Sequence, residues 1–170
     1  MESDIEYMRL AVEEALAAQV AGEVPVGAVL VSSDGQILGR GNNQVIRTSD
    51  PTAHAAIIAM RAAGQTLQNY RLLNTTLYCT LEPCPMCAGA IIHARVATLV
   101  YASLDLKAGA CGSAVSILNH PALNHRIEVV QGVLAEECST MLTNFFRGRR
   151  AEQALQNSSD VEVSPEPRPE

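Results

Sequence analysis

Long apolar runs are missing from this chain of 170 residues, although 48% of its residues are hydrophobic. The longest run, from Met86 to Ile92, is far shorter than the roughly 20 residues that cross a bilayer as a helix. The first residues, Met1 to Asp4, are acidic where a signal peptide is basic. We therefore expect no membrane partner and a cytoplasmic location for a single globular domain.

Cysteine is too scarce and too unevenly spaced to predict a disulfide-stabilised protein. The chain has five cysteines, an odd number, and Cys84 and Cys87 are separated by only two residues. This distribution is typical of a reducing compartment and of a metal site. We expect no structural disulfide.

Basic residues are outnumbered by acidic ones, 12 to 18, which gives a formal net charge of −6. An average of this sign disfavours a nucleic-acid partner, but one face of a protein can differ from the average. Arg147, Arg149 and Arg150 form a compact basic cluster, and arginine suits phosphate because its donors form a planar fork. On the cluster alone, a solvated helix end is the favoured interpretation.

Apolar periodicity and turn residues divide the chain into helices and strands. Asp34-Gly35 is a hairpin turn, and Asp50-Pro51-Thr52 offers a turn and an N-cap for an alanine-rich helix that Gly64 closes. The face of the first helix is marked by Ile5, Met8, Val12, Ala15, Leu16 and Gln19. The predicted helices are 4–21, 53–63, 85–93, 113–118 and 135–155, and the predicted strands are 26–33, 36–43, 76–81, 98–103 and 127–131.

This order of elements predicts an α/β fold with a central mixed sheet of five strands and helices on both faces. One domain is expected over residues 1–155. From residue 156 to residue 170 the chain is rich in Ser, Glu and Pro and has hardly any apolar residues. Such a segment cannot bury enough surface to fold, so a disordered acidic tail is expected.

Cys84 and Cys87 occupy positions i and i+3 of a predicted first helical turn, where free N–H groups favour thiolates. His54 opens the preceding helix, so one imidazole and two thiolates can converge on one ion. A Cys-x-x-Cys pair also occurs in redox motifs and in structural zinc sites. A structural site needs a fourth ligand, for which the candidates are Cys79, His93, Cys111 and Cys138. Catalytic zinc is favoured, since three ligands leave a position for water.

Zinc lowers the pKa of a bound water toward neutrality and so supplies hydroxide. Hydrolytic deamination also needs a group that moves a proton from that water to the ring nitrogen and the departing ammonia. In zinc-dependent base deaminases this group is the glutamate of a His-x-Glu motif that precedes Pro-Cys-x-x-Cys. Here the triplet is His54-Ala55-Ala56, so the glutamate is replaced by alanine. The other candidate for a proton shuttle is Glu82.

Several long motifs resemble those of the bacterial tRNA-specific adenosine deaminases. They are the segments 23–29, 50–55, 80–90 and 144–147, and the acidic tail lies outside the resemblance. The resemblance implies a three-layer cytidine deaminase-like fold and a homodimer with one Zn²⁺ per subunit, held by His54, Cys84 and Cys87. It also implies that the wobble adenosine in the anticodon stem-loop of an arginine tRNA is converted to inosine, with position 56 as proton shuttle.

The same resemblance suggests which residues contact RNA. Asn43 corresponds to a contact to the flipped nucleoside, and Asp105 to a contact to the RNA backbone. The terminal helix contributes Phe145, Phe146, Arg149 and Arg150. On their own, Asn43 would be interpreted as a turn residue and the two phenylalanines as core.

Three hypotheses remain open. The first is an RNA-editing enzyme inactivated by a deliberate change to Ala56, which is favoured because the surrounding sequence matches the catalytic chain. The second is a naturally noncatalytic RNA-binding subunit. The third is a deaminase of free bases or nucleosides such as guanine or cytidine, although such an enzyme has no use for a basic, aromatic C-terminal helix.

Overall fold

A computed structural model describes the main chain of residues 2–161 and the side chains of residues 2–158. The helices are α1 (Glu2–Val20), α2 (Val45–Thr48), α3 (Ala55–Leu67), α4 (Pro85–His93) and α5 (Ala135–Val161); the strands are β1 (Gly27–Ser32), β2 (Ile37–Asn42), β3 (Thr75–Leu81), β4 (Thr98–Ser103) and β5 (Glu128–Gln131). None of the helices described here is long and apolar enough to cross a membrane.

The five strands form one mixed sheet in the order β2-β1-β3-β4-β5. β1 is antiparallel to both β2 and β3, and β4 is parallel to both β3 and β5. Because side chains alternate along a strand, Ala28 and Leu30 of β1 pack with α3 and α4, whereas Val29 and Val31 pack with α1 and α5. The predicted three-layer α/β/α fold is confirmed.

α1 contacts the sheet with small side chains. Its buried residues are Met8, Ala11, Val12, Ala15 and Ala18. Ile5 and Leu16, which were predicted to lie on this face, are 41% and 48% exposed. The reason is a close backbone approach, since a Cβ atom on Gly27 would lie only 1.9 Å from the carbonyl oxygen of Ala11. The small residues Ala11 and Ala15 lie at this contact, and the predicted face was wrong for Ile5 and Leu16.

α3 begins and ends later than predicted. Its N-cap is His54, because the Asp50 side chain accepts bonds from the N–H and hydroxyl of Thr52 and forms a separate turn. Gly64 lies inside the helix, which ends at Leu67. The hydroxyl of Thr66 donates to the carbonyl oxygen of Leu38 at 2.9 Å and holds the last turn on β2.

The helix predicted over residues 113–118 does not form. Cys111 and Ser116 make an isolated bridge instead, and the N–H groups of Ala114 and Val115 both point to the carbonyl oxygen of Gly109. Two further segments differ from the prediction. α2 was not predicted, and α5 continues to Val161, six residues beyond its predicted end. Residues 162–170 of the predicted tail lie outside the described part of the chain.

Gly41 should tolerate no side chain, because an added Cβ atom would lie 2.3 Å from the carbonyl oxygen of Ala55 in α3. We expect Gly41→Ala to reduce the free energy of unfolding by about 2–3 kcal/mol, as measured by urea denaturation. Gly148→Ala is the control, since Gly148 lies in α5 with no atom in range of its Cβ. There the helix should gain up to about 1 kcal/mol. Equal effects at both positions would contradict this account of the α3–β2 contact.

Candidate active site

One end of the sheet gathers the functional side chains predicted from the sequence. β2, β3, β4 and β5 all run in the same direction, since β1 is antiparallel to both of its neighbours. Their carboxyl ends therefore meet at one edge, which is where open α/β sheets bind ligands. α4 begins directly after β3, and α3 begins after the short connection that follows β2. The N-termini of the two helices thus face the same region.

His54, Cys84 and Cys87 come together at these two helix starts. His54 is the N-cap of α3, Cys84 is the N-cap of α4, and Cys87 lies in the first turn of α4. The Nδ1 atom of His54 is 3.5 Å from the Sγ atom of Cys84 and 3.6 Å from that of Cys87. His54 and the cysteine pair, at least 30 residues apart in sequence, therefore form one compact cluster.

The electrostatics of the cluster favour a negative charge on sulfur. A hydrogen bond from Cys87, supported by His54, lowers the pKa of Cys84 to about 4. The Cys84 thiolate in turn raises the pKa of Cys87, as burial also does, and raises that of His54. The positive ends of two helix dipoles act in the same direction. A thiolate so placed is a ready ligand for a cation.

The donor set and its spacing suit zinc. A nitrogen about 2.0 Å and a sulfur about 2.3 Å from a tetrahedral zinc ion are about 3.5 Å apart, close to the two distances observed. Among the described residues, the group able to hold a metal contains only His54, Cys84 and Cys87. None of the candidates for a fourth ligand, Cys79, His93, Cys111 and Cys138, belongs to it.

Asn43 and Ala56 flank the cluster at the start of α3. The Asn43 side chain accepts a hydrogen bond from the N–H of Ala55 at 3.0 Å, so its amide oxygen caps the helix while its NH₂ group remains for another partner. Ala56 lies two residues after His54 and is 6% exposed. A side chain at position 56 therefore starts from a buried point within the same helical turn as the histidine.

Glu82 does not have the free carboxylate that a proton shuttle needs. It is 2% exposed and accepts bonds from the backbone of Asp105, Cys111 and Ser113 and from the Ser113 hydroxyl. Burial alone would raise its pKa, but these bonds outweigh burial and hold the pKa below its ordinary value. The carboxylate is ionised and surrounded by donors that belong to one loop.

The residues predicted to contact RNA fall into two groups. Asp105, Phe146 and Arg150 line one cavity of about 600 Å³, together with Lys107. Phe145 and Arg149 pack elsewhere, because Arg149 donates to the carbonyl oxygen of Gly22 at 2.6 Å and stacks 5.1 Å from the ring centroid of Phe145. The arginine cluster in the sequence therefore contains one residue that attaches α5 to the body of the protein.

Glu23 is a structural residue that the sequence analysis did not identify. It is 2% exposed, and its carboxylate accepts bonds from the N–H groups of Ile46 and Arg47 at 3.2 and 2.8 Å. It thereby holds the start of α2 in the connection between β2 and α3. In the sequence it stands out only as one acidic residue in segment 23–29, one of the segments that resemble the deaminase family.

Comparison with known proteins agrees with this geometry. Residues 1–103 match the family model of the cytidine and deoxycytidylate deaminase zinc-binding region. A tRNA-specific adenosine deaminase of Haemophilus influenzae is 52% identical over 157 residues, which cover 92% of this chain and 91% of that protein. One of Bacillus subtilis is 45% identical over 150 residues, which cover 88% and 92%.

Solved structures have the same fold. One, from a study of A-to-I editing by tRNA:A34 deaminases at the wobble position, is 42% identical with a TM-score of 0.78 and covers 81% of this chain and 99% of that one. A guanine deaminase from Nitrosomonas europaea is 26% identical with a TM-score of 0.73 and covers 83% of each chain. The chain therefore belongs to the family of tRNA-specific adenosine deaminases, which share the zinc-binding region of the cytidine and deoxycytidylate deaminases.

Proposed function

We propose that this chain is a tRNA adenosine deaminase built to convert the wobble adenosine of an arginine tRNA anticodon to inosine. The observation that carries the proposal is the cluster of His54, Cys84 and Cys87, whose spacing suits a three-ligand zinc site. The tRNA substrate is supported by relatives of up to 52% identity that are named tRNA-specific adenosine deaminases.

In this proposal, His54, Cys84 and Cys87 hold one Zn²⁺ per chain. When bound, zinc supplies a hydroxide equivalent at neutral pH. The protein itself positions the three ligands. The N-termini of α3 and α4 stabilise the negative charge of the thiolates. Asn43 keeps its NH₂ group free beside the start of α3, where it can donate to the target nucleoside.

Position 56 is the proposed place of the proton shuttle. A glutamate there would emerge from a buried point, and desolvation would raise its pKa toward the range useful for acid–base chemistry. The methyl group of Ala56 cannot carry a proton. Glu82 offers no replacement, because its two oxygens already accept bonds from a loop. We infer that the chain as written binds substrate without turning it over.

RNA is proposed to lie over the cavity that Asp105, Lys107, Phe146 and Arg150 line. Phe146 is 42% exposed and offers a ring on which a splayed base can stack, while Lys107 and Arg150 can neutralise phosphate. Arg149 is assigned a smaller direct role than Arg150, because it is bonded to Gly22 and stacked on Phe145. Phe145 then acts by supporting Arg149.

A homodimer is proposed for the protein in solution. We place the second copy against a groove of about 920 Å³ between α3 and α4, which is lined in part by Ile57, Met60 and Met86. His93, considered above as a zinc ligand, lines this groove and is exposed.

Two alternatives make different predictions. A naturally noncatalytic subunit would stay inactive with a glutamate at position 56. A guanine-type deaminase is favoured by the fold shared with the Nitrosomonas europaea enzyme, but the identity of 26% is well below that of the tRNA-specific relatives. Such an enzyme would not bind an anticodon stem-loop tightly.

Zinc content tests the metal cluster. We expect one zinc per chain by plasma mass spectrometry, and a value near zero for the Cys84→Ala, Cys87→Ala double variant, because only one of three ligands remains. Cys138→Ala is the matched control, since this buried cysteine packs against the opposite face of the sheet and should leave the metal in place. Retention of zinc by the double variant would refute the assignment of these ligands.

Salt-dependent binding tests the RNA surface. We expect Arg150→Ala to weaken binding of an anticodon stem-loop and to reduce the slope of log affinity against log salt by about 0.7–1, as the loss of one phosphate contact does. Arg40→Ala is the control, because Arg40 lies on the outermost strand β2, which β1 separates from β3, and pairs with Glu13. If both variants bind like the parent, the arginine cluster is interpreted again as a solvated helix end.

Restoring a carboxylate tests the proton shuttle. We expect Ala56→Glu to deaminate adenosine at the wobble position of an arginine-tRNA stem-loop at least about 10²–10⁴ times faster than the parent, the usual contribution of acid–base catalysis. Ala56→Gln is the control, because a glutamine has nearly the size of a glutamate but cannot take up and release a proton, and it should stay inactive. Inosine is quantified by mass spectrometry of digested RNA. An inactive Ala56→Glu that still binds zinc and RNA would support the noncatalytic subunit.

A further inference from the structure

Glu82 is a buried carboxylate that the proposed chemistry does not use. It follows β3 directly and precedes Pro83 and Cys84, so it lies at the sheet edge where the metal cluster forms. At 2% exposure, an ionised carboxylate is costly unless it is fully hydrogen-bonded. Its position is therefore determined by the groups that surround it.

Those groups come from both ends of one loop. One carboxylate oxygen accepts the N–H of Asp105 at 3.0 Å and the hydroxyl of Ser113, and the other accepts the N–H groups of Cys111 and Ser113 at 3.0 and 3.2 Å. A carboxylate has about four acceptor positions, and four donors fill them. The loop over residues 105–113 is thus folded around a single charged side chain.

Packing fits the same arrangement. Gly109 lies so close that a Cβ atom there would be 2.4 Å from the carboxyl carbon of Glu82. The N–H of Ala110 donates to the carbonyl oxygen of Pro83 at 2.8 Å, which adds a backbone contact beside the carboxylate. The middle of the loop therefore contacts the residues directly before Cys84.

The loop also forms one wall of the cavity proposed to receive RNA, through Asp105, Leu106 and Lys107. Phe146 and Arg150 of α5 line the same cavity. We propose that Glu82 is a positioning residue that holds this loop between the metal cluster and the RNA-facing cavity. The inference rests on the proposed function, since it assigns the loop to RNA binding.

An amide at this position cannot replace the carboxylate. In Glu82→Gln one oxygen becomes an NH₂ group, which would point a donor at N–H or O–H donors. At least one end of the loop would lose its bonds, and bonds to a charged acceptor are among the stronger ones. The loop should then loosen while His54, Cys84 and Cys87 are unaltered.

Site-resolved hydrogen exchange of Glu82→Gln tests this proposal. We expect exchange at the amides of Asp105, Cys111 and Ser113 to accelerate by about 10- to 100-fold, with zinc content unchanged. Affinity for the anticodon stem-loop should fall by about 3- to 10-fold, because a loosened loop must be ordered on binding. Binding is measured well below the unfolding temperature of each variant.

Glu23→Gln is the matched control, since Glu23 is equally buried and also accepts two backbone N–H bonds. It should accelerate exchange at Ile46 and Arg47 and leave the amides of the 105–113 loop as protected as in the parent. If Glu82→Gln and Glu23→Gln accelerate the same amides, Glu82 has only a general structural role and the proposal is wrong.

Gly109→Ala disturbs the contact between the loop and the Glu82 carboxylate from the loop side. Its methyl group should displace the Glu82 carboxylate, so we expect loop exchange and RNA affinity to change as in Glu82→Gln. The double variant should lose less than the sum of the two single losses, since both changes break the contact between Gly109 and Glu82; the methyl group additionally meets the carbonyl oxygen of Asp105 at 2.5 Å. Unchanged RNA affinity in Glu82→Gln, beside a parent that binds the stem-loop, would overturn this proposal alone. If the parent protein does not bind the stem-loop, the proposed function is wrong as well.

Discussion

β2, β3, β4 and β5 run parallel, and of the strands that the structure describes only β1 runs the other way. Each parallel strand therefore delivers its next residues to the same edge of the sheet. β2 leads to Asn43 and His54, β3 to Glu82 and Cys84, and β4 to Asp105. The helix starts that follow β2 and β3 present their free N–H groups and dipoles at this edge, which favours thiolates and a cation. The cluster of His54, Cys84 and Cys87, the start of α3 and the loop over residues 105–113 all depend on this strand direction.

Buried carboxylates hold the irregular segments around that edge. Glu23 binds the start of α2, and Glu82 binds the loop over residues 105–113. Neither segment has strand or long-helix hydrogen bonds of its own, so its backbone N–H groups need other acceptors. A charged acceptor that takes several of them orders a loop more effectively than isolated neutral bonds. In this fold, irregular segments near the site are thus ordered by single side chains.

Element types could be predicted well, because period and turn chemistry are local properties. β4 and α4 were predicted with their observed bounds, and the other predicted strands and three more of the five predicted helices were found with shifts at their ends. The errors arose where tertiary contacts override local preference. Ser113 and Cys111 turn toward Glu82 instead of forming a helix, and Gly64 remains helical because Thr66 bonds to β2. Ile5 and Leu16 are exposed because α1 turns Ala11 and Ala15 toward Gly27 of the sheet.

The sequence by itself determined the donor set of the cluster, the alanine at position 56 and the family, because these depend only on residue identity and spacing. Tertiary structure alone showed that the other three cysteines, Cys79, Cys111 and Cys138, do not join the cluster as a fourth ligand. It also separated Arg149, bonded to Gly22, from Arg150, which lines the cavity. The physical reason is that spacing along a helix specifies which side chains share a face, whereas the groups opposite that face come from distant parts of the chain.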